Sequence, residues 1–307
     1  MSLRNHLQLG ASLYVPATHK STKLAEIGNG EKYPQLRSVI FCTEDAVREE
    51  QVSEALHNIK HALPRLSAVS QPMRFIRVRN PHVLGHCMAM RDIKNIDGFV
   101  LPKLTANNLP HYLSYFSQGD TFSIMPTLET VEVFDSREMQ NLCALLQNDR
   151  VRARVLALRI GGNDLLNLLR VRREPRNTIY DTPVGDVISR LACEFIPAGF
   201  PLTAPVFEAM SHKDILRKEV ELDLLHGLFG KTAIHPDQIA DIEEGFAVRA
   251  HDLAEAQAIL KCDAPAVFRM GNRMCEPTTH SRWAQDIVKR EQIYGVQAET
   301  ATLSQAS

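Results

Sequence analysis

Eight short apolar runs punctuate the chain, at residues 11–15, 38–42, 74–78, 98–101, 122–126, 155–160, 202–207 and 232–235. Runs of this length, bounded by polar residues, read as buried β-strands. Between them lie longer stretches with helical periodicity, clearest at residues 48–63, 137–146, 184–195 and 213–228. Parallel strands need crossovers of this kind. The alternation predicts an α/β fold, a (β/α)8 barrel, with an open doubly wound sheet as the rival. The barrel is favoured by the count of eight and by the polar residues closing many strands, as they would if one rim held a site. Residues 1–246 are expected to form the barrel. Residues 247–307 would add a C-terminal helical extension, an arm or flap with a helix at 251–260, a short run at 266–270, a turn at Gly271-Asn272 and a helix from Thr279. The stretch 170–183, rich in Arg, Pro and Asn, reads as a long loop above the site, and the polar tail from Gln297 is expected to fray.

Composition narrows the function classes. The 307 residues are 44% hydrophobic and 23% charged, which suits a globular protein with a sizeable core. Lys and Arg (35) nearly balance Asp and Glu (36), so no global field favours nucleic acid or an anionic membrane. The six cysteines include no CxxC pair and read as reduced thiols. The opening residues lack a signal core and no apolar run is long enough to span a bilayer, so the cytoplasm is the expected address. The pairs His57/His61 and His82/His86 have i,i+4 spacing, but neither HExxH nor a third ligand accompanies them, which argues against zinc.

Candidate chemistry collects at the strand ends. Glu129 follows the fifth run and Asp164 the sixth, so two hard carboxylates would leave one rim from adjacent strands. That arrangement suits Mg²⁺, which takes one or two carboxylates and keeps other positions for water and substrate. Helix capping or salt bridges to Arg77 and Lys103 are the bland alternatives. Gly161-Gly162 ahead of Asp164 fits a sharp turn and a close approach to a ligand. Glu44 and Asp45 follow the second run, where they could move a proton, hold metal-bound waters or cap a helix. In the third strand Phe75, Arg77 and Arg79 share a face. An inward Arg77 would need an anion, either a substrate carboxylate or one of the site acids. Lys103 closes the fourth strand and could hold an anion, pair with a carboxylate or, if its pKa were depressed, form a Schiff base. His235 shares a face with Lys231 and Ala233; it could orient a ligand or bond to the loop. Arg159, Arg170, Arg172, Arg173 and Arg176 read either as a local anion patch or as a solvated loop.

The motifs Leu13-Tyr-Val-Pro16, Glu44-Asp45-Ala-Val, Arg77-Val-Arg-Asn80, Leu101-Pro-Lys103, Pro126-Thr-Leu-Glu129-Thr, Gly162-Asn-Asp164 and Gly230-Lys-Thr-Ala-Ile-His-Pro236 occur in this order. Together they resemble the HpcH/HpaI aldolase and citrate lyase β-subunit family, in its divergent TIM-barrel C–C bond lyase branch associated with tellurite-resistance and stress gene clusters. The resemblance implies Mg²⁺ on Glu129 and Asp164, Arg77 on a substrate carboxylate and Asp45 near the metal waters. It also implies trimers or hexamers, with the terminal arm reaching a neighbour's site. In CoA-thioester relatives that arm carries an Asp. This chain has Met274-Cys275-Glu276-Pro277 there, and Thr43 where an Asp is usual in the second strand. Cys275 and Glu276 are therefore the candidates for an inter-subunit contact, and the acyl carrier stays open.

The expectation is a Mg²⁺-dependent carbon–carbon lyase acting on a small oxo- or hydroxy-carboxylic acid or its acyl derivative, with an acyl-CoA among the candidates. Catalytic roles would fall to Asp45, Arg77 and Glu44, and substrate binding to Arg77, Lys103 and His235. The rivals are a non-catalytic barrel serving an assembly and an acyl-thioester hydrolase on the same fold.

Overall fold

The structure, a computed structural model, describes residues 5–68 and 72–297. The tail beyond Gln297, expected to fray, lies outside the described residues. The eight runs form eight parallel strands: β1 (Ala11–Pro16), β2 (Ser38–Cys42), β3 (Met73–Arg77), β4 (Gly98–Leu101), β5 (Ser123–Leu128), β6 (Leu158–Ile160), β7 (Leu202–Thr203) and β8 (Lys231–Ala233). Strands adjacent in sequence pair from β1 to β7, β8 returns beside β1, and a parallel bridge between Ala204 and Lys231 joins β7 to β8. Helices fill the crossovers, among them Val52–Ala62, Ser136–Leu146, Val184–Phe195 and Lys213–Leu225. This is the expected (β/α)8 barrel.

The later strands are shorter than the apolar runs suggest, for identifiable reasons. Val155 pairs with Ile124 only as an isolated bridge while its own amide turns back to the carbonyls of Val151 and Arg152, so the continuous strand β6 starts later. Pro205 carries no amide proton and cannot extend the ladder of β7. The Ile234 amide bonds the Gln238 side chain at 2.9 Å, which ends β8 before His235.

Alternation along the strands builds two layers inside the ring. The apolar layer packs Leu9, Ile40, Phe75, Val100, Met125 and Ala157, with Tyr14 and Met73 against them. Toward the carboxyl ends of the strands the interior turns polar: Arg77, Thr127, Arg159 and Thr232 line a cavity of about 290 Å³. Pairing register places Thr127 opposite Arg159 and Arg159 opposite Thr203, so one polar layer crosses three strands.

The stretch 170–183 is not a plain loop. It holds a 3-10 turn at Ile179–Asp181, closed by a capping box from Thr178, and the Arg173 side chain is buried against Glu219 and Glu208. The expected arginine patch is thereby dispersed: Arg159 is inside the barrel, Arg173 is in an ion pair, and only Arg170, Arg172 and Arg176 are exposed.

The chain divides into two compact units, Met1–Ile242 and Glu243–Ser307. The second contains a helix at Ala250–Ile259, an antiparallel hairpin of β9 (Phe268–Met270) and β10 (Arg273–Cys275), and a helix at Pro277–Tyr294. Gly271, with φ of 56°, makes the hairpin turn. The last helix begins two residues earlier than expected because Pro277 suits its first turn. Val248, Ala256, Ile259, Cys275, Ala284 and Ile287 form this unit's own core.

Candidate active site

At the end of β2 the Thr43 hydroxyl donates to the Arg77 carbonyl at 2.9 Å, fixing the turn that carries Glu44 and Asp45. The Asp45 amide donates to Glu44 Oε2 at 2.7 Å, so Glu44 does cap this turn. Its carboxylate does more than that. Arg77 Nη2 lies 2.8 Å from Glu44 Oε2, 3.0 Å from Asp45 Oδ2 and 3.1 Å from Glu129 Oε1. Lys103 Nζ lies 2.6 Å from Glu44 Oε1 and 3.4 Å from Asp45 Oδ1. Lys103 sits in the left-handed region, with φ of 50°, and its amide donates to Glu129 Oε1 at 2.9 Å. A strained non-glycine residue thus aims its own backbone at the buried acid.

Asp164 joins from the turn after β6. A hydrogen bond between Glu129 and Asp164 favours the ionised form of Asp164. Burial pushes the Glu129 carboxyl up to about 7, against the pull of Arg77 and with the help of the Asp164 charge. Burial, and then repulsion from Asp45, raises Asp164 as well. Glu44 is also raised by burial, partly offset by Arg77. For Asp45 burial works upward but is outweighed by its hydrogen bond with Glu44 and by the cations Arg77 and Lys103, so it is held below the usual range. Burial would lower Lys103, but its bond to Glu44 outweighs this and raises it. An ammonium held in this way is no Schiff-base nucleophile, which needs a depressed pKa.

Two cations here face four carboxyl groups, so acids outnumber cations around a cavity. The free edge of the pair is Glu129 Oε2 with Asp164, because Arg77 and Lys103 occupy Glu129 Oε1. Gly161 makes room for that edge: a Cβ there would stand 2.3 Å from Glu129 Oε2. The close approach anticipated at Gly161 is therefore to the Glu129 side chain. Among the described residues no three His, Cys, Asp or Glu side chains converge on a metal position. Two adjacent hard carboxylates with room for water and substrate nevertheless fit Mg²⁺, which rarely takes an all-protein cage.

The remaining candidates stand apart. His235 is half-exposed, and its Nδ1 accepts the Asp237 amide at 3.2 Å; it does not line the cavity. The cause is alternation: Lys231, on the same face, points out of the barrel to Glu219 and Asp223, whereas Thr232 points in. Cys275 is fully buried in the core of the second unit, so its thiol is not presented to a neighbour; Glu276 is half-buried at the start of the last helix. Sequence reasoning passed over Tyr14, Thr127 and Thr232 and placed Arg159 in a loop patch. The Tyr14 ring lies 5.7 Å from the Arg77 guanidinium and 5.5 Å from that of Arg159. All four occupy inward positions of strands already recognised, so the period-2 pattern was the available signal.

Comparison with known proteins supplies the family. A family model described as the C–C bond lyase of the TIM-barrel fold matches residues 4–296. No curated protein matches the sequence. Among solved structures, the chain resembles CitE from Mycobacterium tuberculosis in complex with magnesium, acetoacetate and coenzyme A, with a TM-score of 0.67 and 16% identity over 92% of this chain and 98% of that one. It also resembles malate synthase from Haloferax volcanii, at TM-score 0.64 and 15% identity over 76% and 72% of the two chains. RipC from Yersinia pestis gives a TM-score of 0.60 and 18% identity, over 81% of this chain and all 100% of that one. At these identities the solved structures speak for the fold. The family match covers nearly the whole sequence, and the chain belongs to the C–C bond lyases of the TIM-barrel fold.

Proposed function

We propose that this carbon–carbon lyase is Mg²⁺-dependent and cleaves or forms the bond of a small oxo- or hydroxy-carboxylic acid. The observation that carries the reading is the excess of carboxylates over cations on the cavity rim, with Glu129 and Asp164 turned toward each other. Mg²⁺ held by Glu129 and Asp164 would supply Lewis-acid stabilisation of the enolate charge that carbon–carbon cleavage generates.

The chain's own residues have separate tasks. Arg77 Nη2 is committed to three carboxylates, but its buried Nε has no partner and is free to donate to a substrate carboxylate. Holding that group fixes the orientation of the scissile bond. Asp45, half-exposed and kept ionised, is the proton carrier. In cleavage of a β-hydroxy acid its carboxylate accepts the hydroxyl proton, the O–H electron pair becomes the new carbonyl bond, and the C–C pair stays on the enolate carbon. The same proton then returns to that carbon. Glu44 and Lys103 position Asp45 and Glu129 rather than touch substrate. The acid excess on the rim and the withdrawal of Cys275 into its own core favour a free acid as substrate over an acyl-CoA.

Calorimetric titration of Mg²⁺ into the purified chain and into Glu129→Gln tests the reading. Binding to the first and none to the second is expected, and unchanged affinity in the variant would sink the ligand assignment.

A further inference from the structure

Among the described residues Arg159 is the largest fully buried side chain, only 2% exposed, and no carboxylate pairs with it. Its contacts are a hydrogen bond from Nη2 to the Thr232 hydroxyl at 2.6 Å, a 4.0 Å contact from Nη1 to the Met125 sulfur, and the Tyr14 ring. Each other basic side chain buried to this degree is answered. Arg77 has three carboxylates, Arg173 has Glu219 and Glu208, Lys231 has Glu219 and Asp223, and Arg74 bonds the carbonyls of Gly28, Ser67 and Asn95. A guanidinium keeps its charge at any physiological pH. Removing it from water without an anion costs stability that neutral contacts recover poorly.

The surroundings of Arg159 supply further hydroxyl groups, and no carboxylate is in ion-pair contact with it. Thr127 faces it across the β5–β6 ladder and Thr203 across the β6–β7 ladder, and both hydroxyl oxygens are buried without a partner. Thr127, Arg159 and Thr232 all line the same 290 Å³ cavity as Glu129, Asp164 and Arg77. The acids lie on the rim, and the unanswered cation lies in the polar layer of the barrel wall.

We propose that Arg159, with Thr127 and Thr232, is a second anion subsite, and that the substrate is a short diacid. One carboxylate would lie at the rim with Arg77, and the other would bind the guanidinium of Arg159. This deepens the proposed function and rests on its placement of the reacting end at the rim. Selection would follow from the unpaired charge, since an analogue with a methyl group in place of the second carboxylate leaves Arg159 desolvated and unanswered.

The test uses matched probes, oxaloacetate against 2-oxobutyrate and 2-oxoglutarate against 2-oxopentanoate, titrated calorimetrically into the full chain with Mg²⁺. In each pair the 2-oxo acid end is shared and only the far end differs. The expected result is that at least one diacid binds about tenfold or more tightly than its partner. In Arg159→Met that preference should vanish while 2-oxo monoacid affinity is unchanged, and the ligand-free melting temperature should stay level or rise. Thr127→Val should weaken diacid binding alone, by a smaller factor. Equal affinity for diacid and monoacid in the parent chain would overturn the inference. So would a preference that survives Arg159→Met, or an Arg159→Met chain that melts well below the parent, which would mark the arginine as structural. Mg²⁺ titration without organic acid separates the two levels. Mg²⁺ binding without diacid preference defeats only the Arg159 subsite. Diacid preference that depends on Arg159 but persists without Mg²⁺ binding defeats the metal reading alone.

Discussion

Two buried ionic networks flank the barrel wall. On the inner side, at the rim, Arg77 and Lys103 meet Glu44, Asp45, Glu129 and Asp164. On the outer side, Lys231 and Arg173 meet Glu219 and Asp223, with half-buried Glu208 and the Tyr180 hydroxyl at the margin. The outer network is balanced among its buried members, and none of them lines the rim cavity, as suits a structural tie. In the inner one acids outnumber cations, and it borders open space. Burial alone therefore does not distinguish them. Unbalanced charge next to a cavity does, because such an arrangement is stable only with a cation or substrate to complete it.

Removing the cation of the outer network should have the largest effect on folding. Lys231→Met leaves Glu219 and Asp223 buried against Arg173 alone, and breaking a buried pair in this way costs about 3–5 kcal/mol. Urea denaturation should show that loss, and a loss below about 1 kcal/mol would mean the network is better hydrated than its burial implies.

The inner network should respond in the opposite manner. Glu129→Gln keeps the shape and removes a charge that is partly neutralised already, so the melting temperature should hold. Turnover of a cleavable hydroxy acid should fall on the order of 10³-fold, about 4 kcal/mol of transition-state stabilisation. A variant that unfolds instead would place Glu129 with the structural ties.

The contrast also shows what the sequence could reveal. Strand positions were legible because short apolar runs with polar termini recur eight times, and Glu44, Asp45, Arg77, Lys103, Glu129 and Asp164 stand together because each lies at or just past a strand end. Lys231 and Arg159 were harder to place. Each is one charged residue in a short apolar strand, and the direction it faces depends on register, which three residues of β8 or β6 do not fix on their own. A signal for the outer network did exist. Glu219 and Asp223 share the buried face of the Lys213–Leu225 helix with Leu216 and Val220, so acids stand at positions that otherwise belong to the apolar stripe. Acids in such a stripe call for a buried cation on the strand beneath.

Acidity offers a finer test. Glu129 holds a proton up to about pH 7, well above an ordinary carboxyl. Between those two values the folded protein keeps a proton that the unfolded chain has released. The metal-free protein should therefore lose stability as pH rises toward 7 and level off above it. Mg²⁺ must displace that proton, so its apparent affinity should drop about tenfold from pH 8 to pH 6. Calorimetry in buffers of different ionisation heat would count the released proton. An affinity flat over this range would mean that Glu129 is not a ligand.

The smallest effect falls on the margin of the outer network. The Tyr180 hydroxyl donates to Asp223 at 2.7 Å and its ring stacks on His226 at 4.4 Å, so Tyr180→Phe removes one hydrogen bond and keeps the packing. The loss should be about 1 kcal/mol. Burial raises Asp223 to about 6, against the pull of Lys231, and the phenol hydrogen bond is among the influences that favour the ionised form. Without it the carboxyl rises further, so the cost should be full at pH 8, where Asp223 is ionised, and shrink as pH falls below 6. Because the side chains of Tyr180, Asp223 and Lys231 meet on the outer side of the barrel wall, Mg²⁺ affinity and turnover should not move with that loss. Coupled changes in stability and metal binding would show that the two networks communicate through β8 and that the wall between them is not the insulator its packing suggests.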